Sequence, residues 1–123
     1  MTKKISASFH CPSEFTLDVL GGKWKTVILC YLKERPLRYA ELRKLVPKLS
    51  DKVLTERLHE LTDKGLIARE RVRSERSELF YVLTAKGNSL RPLLTDLNKW
   101  GLNHAAEFGV TVGQPLKALK TQR

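Results

Sequence analysis

The sequence predicts a mainly helical domain with one small β-hairpin, an α+β class. Three observations carry this. Apolar residues recur at helical spacing from Pro12 to Lys64. Two short amphipathic stretches lie only four residues apart, on either side of Pro47 to Ser50. After Gly65 the period changes from helical to two, and it returns to helical after Thr84.

The first helix starts at Pro12-Ser13-Glu14, because proline is tolerated in a first turn and a carboxylate suits the positive helix end. Phe15, Leu17, Val19 and Leu20 give it an apolar face, and Gly21-Gly22 ends it. The second helix runs from Lys23 to Glu34. Its residues Trp24, Val27, Ile28 and Tyr31 fall at i, i+3, i+4 and i+7, the spacing of one buried face. Arg35-Pro36 stops it, since the residue before proline is pushed out of helical geometry. The third helix spans Tyr39 to Val46, with Tyr39, Leu42, Leu45 and Val46 inward, and Pro47 closes it.

Ser50 is placed to cap the fourth helix and Asp51 suits its first turn. This helix is expected from Asp51 to Lys64, with Leu54, Leu58 and Leu61 as its core stripe and Gly65 as its C′ residue. Two amphipathic helices joined this tightly outline a helix-turn-helix. Leu66 to Val72 and Leu79 to Leu83 are then the strands of a hairpin, with Ser74-Glu75-Arg76-Ser77 as its polar tip. Thr84 caps one final long helix continuing to Phe108, which Pro92 kinks early and Gly101 interrupts. A hairpin directly after a helix-turn-helix is the layout of a winged helix-turn-helix. The expected organisation is a flexible arm (residues 1–10), one domain (11–108) and a basic tail (109–123).

Composition narrows the function classes. The chain has 123 residues, 41% of them hydrophobic, enough for one core. Its longest apolar run, Val27 to Leu32, is far short of the roughly 20 residues of a membrane span. No secretory signal follows Lys3 and Lys4, so a reducing cytoplasm is the expected compartment. Cys11 and Cys30 are too few for a disulfide scaffold, and His10, His59 and His104 are too dispersed for a metal cluster. No phosphate loop, zinc signature or nucleophile elbow is present, so neither an enzyme nor a cofactor is expected.

The charge points to a polyanion. The net formal charge is +10, and residues 23–50 alone carry eight cations against two anions. Lys23, Lys25, Arg38, Arg43, Lys44 and Lys48 are therefore the candidate phosphate contacts.

The order of several short words resembles the HxlR family of bacterial transcription regulators, which are winged-helix proteins related in fold to the MarR group. The words are Cys11-Pro12, Leu20-Gly21-Gly22-Lys23-Trp24, Leu37-Arg38-Tyr39-Ala40-Glu41-Leu42, and the stretch from Leu49 to Leu58. Gly65-Leu66-Ile67, Tyr81-Val82-Leu83-Thr84 with Gly87, and Trp100-Gly101 complete the set, which covers residues 11–104. The chain departs from the family at the hairpin tip, where adjacent prolines are common and Ser74-Glu75-Arg76-Ser77 stands instead.

In a helix-turn-helix the second helix enters the major groove of DNA. Here that is the fourth helix. A helical wheel puts Lys52, Glu56 and His59 opposite its leucine stripe, with Val53 and Thr55 on the flanks. Ser50, Lys52 and Thr55 are the foremost groove candidates, joined by Val53 and Glu56. Lys52 suits guanine acceptors or phosphate, and Thr55 a hydrogen bond or a thymine methyl. Glu56 suits cytosine N4, or else is a solvated helix charge. Arg57 lies close to the stripe and is expected to pair within the domain. Arg71, Arg73 and Arg76 on the hairpin suit an adjacent minor groove.

The resemblance also implies that the terminal helices pair with those of a second copy. Phe15, Leu90, Leu94, Leu97 and Trp100 are the candidate interface residues, with burial in the chain's own core as the alternative for some. A two-fold dimer predicts a pseudo-palindromic double-stranded operator. Cys11 sits where a helix N-terminus stabilises thiolate. In some family members a cysteine at this position responds to an oxidant or a small electrophile, and an ordinary thiol is the other reading. Cys30 reads as a small core residue. The rival function class is a winged-helix module that docks a protein partner. A single-strand or RNA binder is disfavoured because Trp24, Tyr31 and Tyr81 occupy core-like positions.

Overall fold

The computed structural model describes residues 8–71 and 78–113. Four helices come first: α1 (Pro12–Leu20), α2 (Lys23–Glu34), α3 (Tyr39–Leu45) and α4 (Asp51–Asp63). Strands β1 (Ile67–Arg71) and β2 (Leu79–Leu83) pair antiparallel, with Arg69 opposite Tyr81. The described residues after the hairpin form α5 (Ala85–Asn88), α6 (Arg91–His104) and a 3-10 turn at Ala105–Phe108.

Local chemistry accounts for the ends of α4. The Ser50 hydroxyl accepts a hydrogen bond from the Val53 N–H at 3.1 Å, satisfying one orphan donor of the first turn. At the other end Gly65 adopts φ +76°, the left-handed conformation that glycine enters without a Cβ penalty. Leu66 N–H then reaches the Leu61 carbonyl and Gly65 N–H that of Thr62, so a Schellman motif turns the chain into β1.

The core lies where α2, α3, α4 and the start of β1 meet. Ile28, Leu29, Leu37, Leu42, Leu54, Leu61, Ile67 and Leu94 are its fully buried side chains, and Leu58 and Cys30 are buried beside them. Each large aliphatic side chain in such a core contributes about 1.5–3 kcal/mol. The leucine stripe of α4 is thus spent on packing, which turns the opposite face of that helix outward.

The structure departs from the sequence expectations in several places. The expected single terminal helix is two helices. Thr84 does cap α5, its hydroxyl accepting from Gly87 N–H at 3.0 Å while it donates to the Gly65 carbonyl at 2.6 Å. The chain then turns at Ser89-Leu90 before α6 begins, so Pro92 occupies the first turn of a new helix and kinks nothing. Gly101 lies within α6 without interrupting it. Leu37 also adds a short third partner to the sheet, exchanging hydrogen bonds of 3.1 and 2.8 Å with Tyr81. In α1, Phe15 and Leu17 are exposed and only Leu20 is buried.

One residue offered for a dimer face, Leu94, takes the intrachain alternative instead. Leu94 is fully buried within its own chain, and Leu90 packs half-buried against the same cluster. Arg91 Nη1 bonds the Lys33 carbonyl at 2.6 Å, and Asn98 approaches Cys30 Sγ at 3.5 Å, so this edge of α6 belongs to α2. Phe15, Leu97 and Trp100 remain exposed.

Candidate nucleic-acid interface

Helix α4 presents Lys52, Thr55, Glu56 and His59 to solvent, while Val53 is half-buried against the core. Ser50 is exposed too, though its hydroxyl is engaged in the helix cap. Arg57 is turned aside and pairs with Glu60 at 3.1 Å, as its wheel position suggests.

The basic block ahead of α4 divides into two sets. Lys25 Nζ lies 3.4 Å from Glu60, with its side chain only 12% exposed. Arg38 pairs with Glu41 at 3.4 Å and with Glu78 at 3.6 Å. Arg43 Nε bonds Asp51 at 2.8 Å. Lys44 and Lys48 are exposed and have no ion-pair partner among the described residues, and Lys52 on α4 is the same. Lys23 rests 5.4 Å over the Trp24 ring in a cation–π contact and has no ion-pair partner among the described residues. Much of the positive excess of residues 23–50 is therefore internally matched, and among the described residues the unmatched part is Lys23, Lys44 and Lys48.

Asp51 is the polar hub of the helix-turn-helix. The Tyr39 hydroxyl donates to it at 2.7 Å alongside Arg43. These two donors hold its carboxyl below the ordinary aspartate range. Neither tie was visible in the sequence, where Tyr39 reads as a core residue and Asp51 as a helix-start acid. The four-residue spacing of Tyr39 and Arg43 on one face of α3 was the available signal.

On the hairpin, Arg69 and Arg71 are exposed, and Arg71 has a partner. Arg73 and Arg76 lie outside the described residues, as does the tip at Ser74-Glu75-Arg76-Ser77. The same holds for residues 1–7 of the arm and 114–123 of the tail.

Cys11 is the N-cap of α1. Its sulfur lies 2.9 Å from Ser13 Oγ, and its N–H donates to Glu14 at 3.1 Å. The Ser13 hydroxyl and the backbone N–H groups of Glu14 and Ser13 lower the thiol pKa from its usual value. Burial pushes Cys30 the other way, against only partial help from Asn98. A second exposed apolar group lies at the C-terminal end. Trp100 stacks on His104 at 4.4 Å and approaches Phe108 at 6.1 Å, and Leu97, Leu102, Val110 and Val112 are also exposed.

Comparison with known proteins places this geometry. The model of the HxlR-like helix-turn-helix family matches residues 19–108. An HTH-type transcriptional regulator of Bacillus subtilis, YtcD, is 43% identical over 96 residues, covering 78% of this chain and 76% of the relative. An HTH-type regulator from Methanothermobacter thermautotrophicus is 41% identical over 93 residues, covering 76% and 71%. Among solved structures, the redox regulator HypR in its reduced form superposes with a TM-score of 0.74 at 32% identity, over 80% of this chain and 98% of that one. The reduced transcriptional regulator YodB of B. subtilis gives 0.65 at 30% identity, over 76% and 92%. The described residues contain no helix long and apolar enough to cross a membrane. The chain belongs to the HxlR-like helix-turn-helix family, and it is a transcriptional regulator with a winged, MarR-like fold rather than an enzyme.

Proposed function

We propose that this regulator binds a specific pseudo-palindromic segment of double-stranded DNA as a homodimer, with α4 in the major groove. One observation carries the reading: the leucine stripe of α4 is buried, so Lys52, Thr55 and Glu56 face outward beside the unmatched Lys44 and Lys48. Side chains of these types read base edges, while the flanking lysines neutralise phosphates. The exposed Phe15, Leu97 and Trp100 are the surface for the second copy. A dimer of this kind places two reading helices about one DNA turn apart, roughly 34–36 Å. Arg71 and the hairpin arginines beyond it serve the neighbouring minor groove. The site of action is the cytoplasm, where operator DNA is found.

Cys11 is the sensing residue in this account. The Ser13 hydroxyl and the backbone N–H groups at the start of α1 favour its thiolate, the form that attacks small electrophiles or is oxidised, and the redox regulator HypR and the transcriptional regulator YodB are structural relatives. In vitro selection from random duplexes tests the DNA reading, with enrichment of two related half-sites as the expected result. A chain that docks a protein partner instead enriches no sequence, and its weak DNA retention is indifferent to Lys52→Ala with Thr55→Ala.

A further inference from the structure

The carboxylate of Asp51 collects the polar contacts that join the two helices of the helix-turn-helix. Tyr39 and Arg43 reach it from the same face of α3, at 2.7 and 2.8 Å. Arg43 Nη1 also donates to the Val46 carbonyl at 3.3 Å, at the end of α3. One cluster thus spans α3, the turn that follows it and the first turn of α4.

Its location is difficult to explain by stability. The Asp51 side chain is 75% exposed, and an ion pair so wet contributes little to folding. The leucine stripe already fastens α4 to the core. What the cluster does fix is direction, because Asp51 stands between Ser50 and Lys52 and one turn before Thr55, the side chains that face outward at the start of α4.

We infer that Tyr39 and Arg43 are positioning residues for sequence discrimination, which set the rotation of the first turn of α4 and the aim of Lys52 and Thr55 by holding Asp51. The inference rests on the DNA-reading role of α4 proposed above. It gives Arg43 a different task from that of a phosphate contact, since its charge is matched by Asp51 and its fork is divided between a carboxylate and a backbone carbonyl.

Two variants that preserve net charge separate these tasks. Tyr39→Phe removes one hydroxyl, and Arg43→Lys keeps the cation while losing the fork. Affinity is measured by fluorescence anisotropy over a range of salt. The probes are the duplex selected by the wild-type chain and a scrambled duplex of equal length. Each variant is expected to bind the selected duplex about fivefold more weakly, with unchanged affinity for the scrambled one and an unchanged salt slope. The Asp51 carboxyl, followed by NMR titration, should move toward its ordinary value in Tyr39→Phe.

Wild-type discrimination in Tyr39→Phe overturns the inference. So does an equal loss on both duplexes, the mark of a general structural defect. Near-wild-type binding by Arg43→Lys restores the phosphate role for that residue and removes it from the positioning pair. Failure of the wild-type chain to select any sequence overturns the DNA-reading premise itself, a result distinct from all of these.

Discussion

Lys25 on α2 lies 3.4 Å from Glu60 on α4, and this pair ties the outward-facing helix to the one beneath it. Glu60 also takes Arg57, and these two cations outweigh the burial that opposes its ionisation. Further along, Lys64 Nζ reaches the Asp18 and Val19 carbonyls at 3.3 and 3.5 Å, capping the C-terminal end of α1. With Asp51 held at the other end, α4 has polar ties to three neighbouring helices in addition to its leucine stripe.

The division of the cations predicts how binding responds to salt. Lys44→Ala, Lys48→Ala and Lys52→Ala should each lower the slope of log K against log salt by about 1. Lys25→Ala should leave the slope unchanged, because that charge is spent on Glu60. Its effect should appear in thermal unfolding, as a destabilisation of about 1 kcal/mol or less. Anisotropy titrations at several salt concentrations check the first part and circular dichroism the second.

The two cysteines should react very differently. Cys11 is stabilised as thiolate by Ser13 and by backbone N–H groups at the start of α1. A thiol with a lowered pKa is already ionised at pH values where an ordinary one is protonated, so its iodoacetamide rate should reach a plateau at lower pH. Ser13→Ala should shift that profile upward. Cys30, buried and raised, should react only after unfolding. If Cys11 is the sensor, diamide abolishes operator binding in the wild type and spares Cys11→Ser. Equal loss in both proteins eliminates it.

Helix α6 should separate folding from association. Leu94→Ala opens a cavity in the intrachain core and should cost about 2–5 kcal/mol. Trp100→Ala with Leu97→Glu alters exposed positions only, so the monomer should remain folded while the dimer dissociates. Analytical ultracentrifugation alongside thermal unfolding distinguishes these outcomes. A folded dimer in the double variant would remove α6 from the interface.

Gly87 is required by close approach. A Cβ there would collide with the Leu66 carbonyl, which already accepts from Thr84 N–H at 3.0 Å. Gly87→Ala should therefore destabilise the junction of α5 with the hairpin. Gly101→Ala, whose added Cβ meets nothing within 4 Å among the described residues outside its own helix backbone, serves as the control for glycine replacement in a helix. A lower melting temperature in the first variant alone is the expected result.

The legible and illegible parts of this fold differ in range. Helices α1 to α4 and strand β2 could be read because their signals are local: Pro12, Gly21-Gly22, Arg35-Pro36, Ser50 and Gly65 mark their ends, and apolar periodicity fills them. The break at Ser89-Leu90 reads instead as a kink at Pro92, and the close approach of Gly87 to Leu66 beside it is a contact that nothing nearby in the sequence announces. Likewise the wheel of α4 gave its outward face correctly, yet charge counting could not sort the lysines and arginines ahead of it. Lys25 finds Glu60, and Arg38 finds Glu78, only after the helices and the hairpin have packed. Leu94 and Leu97 share one apolar stripe in the sequence, and only the position of α2 decides which of them is buried.

The most direct measurement of the central claim is the ratio of affinities for the selected duplex and a scrambled duplex, for the wild type and for Lys52→Ala with Thr55→Ala. A wild-type ratio of about 10³ or more is expected, collapsing in the double variant while scrambled-duplex affinity falls only by the loss of one cation. A wild-type ratio near unity, or a ratio unaffected by the double substitution, would contradict the claim.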